Sequence, residues 1–189
     1  MKLQLSQKEA FDLTKAWVAL SIAFGILLSS RFGVFSSILV SFFTVGLAFL
    51  VHELAHKYVA IHYGAKAEFK ADDTMLALAI LMSFLGFIFA APGAVMVRGF
   101  LTSRQNGLVS VAGPWSNVVL AILFFPLTFS SGFLGLIGYY GFFINSFIGL
   151  FNMIPVWMFD GAKVLRWNKP VYVITTLVLA FLTIGGFYL

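Results

Sequence analysis

The chain has 189 residues, 61% of them hydrophobic and only 10% charged, with a formal net charge of +5. That composition excludes an ordinary soluble domain, and the absence of cysteine excludes disulfides and thiolate metal ligands. Apolar runs of about 18 residues or more recur, so the chain reads as a polytopic membrane protein. Its bases fall between these runs, as in membrane loops, and nucleic acid is not an expected partner.

Residues 1–13 form a polar head of mixed charge, unlike a cleavable signal peptide, with Ser6 and Glu9 spaced as a capping box. A first span is expected from about Thr14 to Ser30, then a turn at Arg31-Phe32-Gly33. The second segment, Val34 to Tyr63, exceeds the ~20 residues that cross the hydrocarbon core, so its end is expected to emerge into water. Near that end stands Val51-His52-Glu53-Leu54-Ala55-His56-Lys57, holding two of the three histidines. His52 and His56 are four residues apart, so on a helix they share a face and can share a metal. Glu53 lies on the same side, within reach of an attacking water. This is the H-E-x-x-H arrangement of zinc hydrolases, two imidazole ligands and a carboxylate base. So many ionisable groups on an apolar helix are costly unless they have a task or partners. His62 falls about 120° away from the pair and reads as a surface histidine.

Gly64 reads as a helix C-cap and residues 65–73 as a short strand or loop, with Glu68, Asp72 and Asp73 solvated. The run Met75 to Ala91 is long enough to span. If it crosses, however, Asp160 ends on the opposite side from His52. If it dips in and returns, all Lys and Arg except Arg31 fall on one side, which the positive-inside bias favours. A re-entrant hairpin is therefore expected over 75–100, with a strand at 93–98. Spans follow at Gly107 to Phe129 and Phe133 to Pro155, then a basic loop with Lys163, Arg166 and Lys169, and a last span from Val171 to Leu189. The expected fold is an all-α polytopic membrane protein with five or six transmembrane segments and a re-entrant hairpin or short strand region around a zinc site. It forms one domain over residues 1–189, with a catalytic core at about 34–166, and its termini lie on opposite sides of the membrane.

A catalytic zinc takes three protein ligands and keeps an open position. With no cysteine and no fitting third histidine, a carboxylate must complete the set. Asp160 is the best placed: Pro155 ends the preceding helix, and Gly161 allows a turn that swings the carboxylate back. Glu68, Asp72 and Asp73 come next.

With both patterns in view, H-E-x-x-H at 52–56 and N-x-x-P-x-x-x-x-D-G at 152–161, the chain resembles the site-2 protease family of intramembrane metalloproteases. Gly113-Pro114 and Asn117 resemble the G-P segment of its intervening helix. The resemblance covers about residues 34–166. It implies that His52, His56 and Asp160 bind Zn2+, that Glu53 activates water, and that Asn152 steadies the substrate or oxyanion. It also implies that the strand at 93–98, with Gly93, Ala94, Val95 and Met96, receives an unwound substrate by strand addition. The implied function is an intramembrane zinc endopeptidase of the cell membrane. It would cut transmembrane segments of membrane-tethered proteins near the cytoplasmic side, as in regulated intramembrane proteolysis. Implied partners are a membrane-spanning protein substrate, the lipid bilayer and, with no PDZ-like or nucleotide-binding domain appended, a regulatory membrane partner. The family often has prolines where this chain has Trp157-Met158, and D-G-G-R where it has Asp160-Gly161-Ala162-Lys163. Two alternatives are a membrane metal-ion carrier, which needs further ligands along a path, and an inactive homologue that binds substrate without cleavage, against which Glu53 argues.

Overall fold

The computed structural model describes residues 4–88, 92–156 and 159–189. The Trp157-Met158 pair lies outside them. Five helical segments are long and apolar enough to cross a membrane. The first is α1 (Gln7–Phe32). The second is a composite of α2 (Val34–Ser41), a single π turn (Phe42–Gly46) and α3 (Leu47–His62). The others are α5 (Ser103–Phe124) with a short 3-10 turn at Phe125–Phe129, α6 (Gly132–Asn152), and α8 (Lys169–Gly186). The chain is thus an all-α polytopic membrane protein, with one small sheet inserted between α3 and α5.

Two helices begin earlier than their hydropathy suggests, because capped polar turns precede the apolar stretch. Thr102 and Gln105 form a full capping box at the start of α5. Ser6 caps α1 by accepting from the Glu9 N–H at 3.1 Å, but the Glu9 side chain does not complete the box expected there. Its carboxylate is buried against Lys57 of α3 and accepts from the Phe69 N–H at 3.0 Å. Lys57 also donates to the Gln4 carbonyl at 2.8 Å. Sharing its partners this way satisfies a buried ion pair that would otherwise be costly. It also fixes the start of α1 and the later turns of α3 at one end of the bundle.

The π turn has its own partners. The Trp17 indole N–H donates to the Phe42 carbonyl at 2.9 Å, and the two rings stack with centroids 4.5 Å apart. At Gly46 any Cβ would collide with the Trp17 ring, so only glycine fits there.

The sheet has two antiparallel strands, β1 (Lys66–Ala71) and β2 (Gly93–Arg98), with Phe69 opposite Val95 and Ala71 opposite Gly93. Between them lies α4 (Asp73–Ser83), whose N-terminus is capped by Asp72. At 11 residues and about 1.5 Å each, α4 covers roughly half of a ~30 Å hydrocarbon core. The Asp72 N–H donates to the Pro92 carbonyl at 3.1 Å, so the apolar run leaves and returns at one point. This is the geometry of a re-entrant hairpin, with residues 89–91 outside the described part.

The main core joins Leu13 and Leu20 of α1, Phe49 of α3, Phe69 of β1 and Tyr140 and Ile144 of α6. A second cluster joins Val111 and Val118 of α5 to Met153, Val164 and Leu179. Val164 belongs to α7 (Asp160–Trp167), a helix where the sequence suggested a basic loop. Its buried face is Asp160, Gly161, Ala162 and Val164, and Lys163 and Arg166 point outward. Gly161 therefore serves close packing within a helix and makes no turn, because a Cβ there would lie 2.2 Å from the Met153 carbonyl oxygen.

Candidate metal centre

Three elements meet at the centre. α3 supplies His52 and His56 one turn apart, with rings edge to face and centroids 4.6 Å apart. α7 supplies Asp160 from its first turn. α5 crosses α3 and closes the floor. All three side chains are buried. His52 Nε2 lies 3.3 Å and His56 Nε2 3.0 Å from Asp160 Oδ2. Two ligands of a tetrahedral zinc, each about 2.0–2.1 Å from the ion, sit about 3.3 Å apart. The three donors thus have the spacing of a zinc triad, and they form a group able to hold a metal ion.

The other ring nitrogens are committed. His52 Nδ1 is 2.6 Å from the Asn117 side-chain oxygen, and His56 Nδ1 is 2.7 Å from the Val109 carbonyl. Both acceptors lie on α5 and require N–H at Nδ1, which leaves Nε2 of each ring as a lone-pair donor facing Asp160. Asn117 is held in turn: its amide N–H groups donate to the Ala48 carbonyl at 3.2 Å and to Asn145 at 3.1 Å. Asn145 donates to the Gly141 carbonyl at 2.8 Å. A hydrogen-bonded line thus runs from α6 through α5 to His52.

Gly113 completes the cradle. A Cβ there would sit 2.5 Å from Nε2 of both histidines, in the space an ion bonded to both would need. The donor set, the fixed tautomers and this empty corner all fit zinc.

Burial pushes the Asp160 carboxyl up, whereas positive charge at His56 and His52 beside it, as on protonated rings, holds it well below the usual carboxylate range. With the rings neutral as ligands, a bound cation would supply that positive charge and favour the carboxylate. Lys163 Nζ stands 3.7 Å from its other oxygen.

The centre opens into a cavity of about 800 Å³. Glu53, Gly93, Ala94, Val95, Met96 and Asn152 all line it. Glu53 accepts from the Val95 N–H at 3.1 Å, and Asn152 donates to the Ile148 carbonyl of its own helix at 3.0 Å. The remaining acids are used elsewhere. Glu68 accepts from Ser6, Asp72 caps α4, and Asp73 pairs with Lys15. His62 is exposed, as its helical phase suggests. Sequence reasoning did not single out Asn145 or the Val109 carbonyl, and it gave Asn117 no task. A buried amide on an apolar helix is the signal that could have found both asparagines.

Comparison with known proteins leads the same way. "Putative zinc metalloprotease MJ0611" of Methanocaldococcus jannaschii is 41% identical over 179 residues, covering 92% of this chain and 92% of its own length. "Putative zinc metalloprotease YwhC" of Bacillus subtilis is 32% identical over 148 residues, covering 67% of this chain and 68% of its own. "Putative zinc metalloprotease Rip2" of Mycolicibacterium smegmatis is 33% identical over 95 residues, covering 43% and 37%. No protein-family model and no solved structure matches the chain.

Proposed function

Because this chain belongs to the zinc metalloprotease family of those relatives, we propose that it is an intramembrane endopeptidase of the site-2 protease type. In this reading it resides in the cell membrane and cuts transmembrane segments of membrane-tethered proteins near the cytoplasmic side. One observation carries the proposal: a buried His52, His56 and Asp160 triad between apolar spans, opening on a cavity edged by a strand. Among the described residues this is the one such group of His, Asp and Glu, which favours an enzyme over a carrier with a chain of sites.

His52, His56 and Asp160 hold the ion. Bound there, zinc polarises the scissile carbonyl and acidifies water. Glu53 takes the proton of the attacking water and delivers it to the leaving amine, so the peptide bond breaks without a free charged amide. Asn152, on the cavity wall, steadies the carbonyl oxygen as it gains charge. A peptide bond in a membrane helix is shielded by its own hydrogen bonds, so the substrate must unwind. The outer edge of β2 offers backbone partners to the unwound chain.

The test is cleavage of a single-span model substrate by the purified chain in detergent. Cleavage that stops with a chelator, returns with zinc and is absent in zinc-loaded Glu53→Gln supports the proposal. Cleavage indifferent to chelator, or retained by that variant, refutes it.

A further inference from the structure

The strand register shows which backbone groups the sheet leaves for a substrate. Phe69 lies opposite Val95, and the Phe69 N–H is spent on Glu9 rather than on β2. In an antiparallel pair, facing residues either exchange both bonds or neither. The Val95 N–H accordingly points away from β1, as do the backbone groups of Gly93 and Val97. On that outer edge no third strand pairs with β2 among the described residues. The Val95 N–H is nevertheless taken, and its acceptor is Glu53 Oε2.

The proposed base and an incoming strand therefore claim the same donor. We infer that the Val95 N–H is a latch on Glu53, and that the substrate opens it. A carbonyl of the arriving chain replaces the carboxylate on Val95, and Glu53 is released toward the water at the metal centre. The inference rests on the peptidase reading above and adds a condition to it: the base is freed only when an extended chain is docked. It also assigns a selectivity. A segment still coiled as a helix has its carbonyls engaged internally and offers nothing to displace Glu53. Unwound segments open the latch, and intact spans do not.

The test measures binding, so it is separable from turnover. Zinc-loaded Glu53→Gln and Glu53→Ala both lack the base and should leave the probe uncut. Glutamine can still accept from Val95, and alanine cannot. The probe is a fluorescent, end-capped hexapeptide of alternating valine and threonine, matched to the six residues of β2. One hydrogen bond of competition corresponds to about threefold to tenfold in affinity. Glu53→Ala should bind the peptide tighter than Glu53→Gln by that factor, and the difference should vanish when both also carry Val95→Pro, which has no N–H to contest. Equal affinities, tighter binding by Glu53→Gln, or a difference that survives Val95→Pro would overturn the latch. Should the proline variants not fold, amide exchange decides. The Val95 amide must exchange faster in Glu53→Ala than in Glu53→Gln, with Ala94 and Met96 unchanged; equal rates at Val95 sink the inference. Failure of the peptidase reading itself would appear elsewhere, as absent chelator-sensitive cleavage by the unmodified chain.

Discussion

Replacing Gly113 with alanine adds one methyl group at the most confined point of the metal centre. That carbon would lie 2.5 Å from Nε2 of both His52 and His56 and 2.6 Å from His56 Cε1, about 0.9 Å inside ordinary contact. The rings have little room to retreat. Their Nδ1 atoms are tied to Asn117 and Val109 on the same helix that carries the new methyl. Relief must come from rotating both rings or pushing α5 from α3, and either removes the convergence on Asp160. Loss of a single orienting partner costs about 10–100-fold in metal affinity, so displacing two ligands at once should cost at least about a hundredfold. The overpacking itself costs about 1–3 kcal/mol of stability. Zinc content after purification and a competition titration against a calibrated chelator read the affinity. Gly185→Ala is the control, since a Cβ there meets nothing within 4 Å. Gly113→Ala that keeps one zinc with unchanged affinity would show that the metal does not sit between the two Nε2 atoms.

Three further predictions concern the histidine support, the buried ion pair and the topology. Asn117→Ala removes the acceptor that fixes the His52 tautomer and should weaken zinc binding about 10–100-fold while the helices persist, read by the same titration and by circular dichroism. Lys57→Met strands the buried Glu9 carboxylate and should destabilise the fold by about 3–5 kcal/mol, with Glu9→Gln in addition recovering part of the loss, measured by thermal melting in detergent. Cysteines placed singly at the exposed Ser103 and Ser131 should react oppositely with an impermeant reagent outside the cell: labelling at Ser131 and none at Ser103. The reverse would break the re-entrant arrangement of residues 75–91.

The ligand pair was legible because its geometry is local: four residues on a helix place two rings together whatever surrounds them. Asp160 could be chosen by elimination and by the break at Pro155, since cysteine is absent and His62 lies off the stripe. The side of the membrane expected for these groups rests on counting basic residues, a property of the whole chain that the labelling of Ser103 and Ser131 tests. Other features depend on contacts between segments distant in sequence. That Asn145 holds Asn117, which holds His52, requires α5 and α6 to be packed first. Glu9 looked like half of a capping box because its partner Lys57 is 48 residues away. α7 was hidden for a different reason: its exposed Lys163 and Arg166 read as a loop, while its buried face is only three small or apolar positions and one acid.

The single π turn at Phe42–Gly46 has a consequence for how this segment tolerates change in length. It holds one residue more than an α-turn would, and one residue in a helix is worth about 100° of rotation and 1.5 Å of advance. α2 and α3 are therefore out of phase with each other. α2 is clocked to its own neighbours, and α3 is clocked so that its histidines face α5. Deleting Thr44 would let the helix run straight, keep every apolar side chain in the span, and swing the histidines by about a quarter turn from Asn117 and Val109. A chain of unaltered hydropathy would then present its ligands to the wrong neighbour. The length of this turn specifies the metal centre as surely as the residues that touch it.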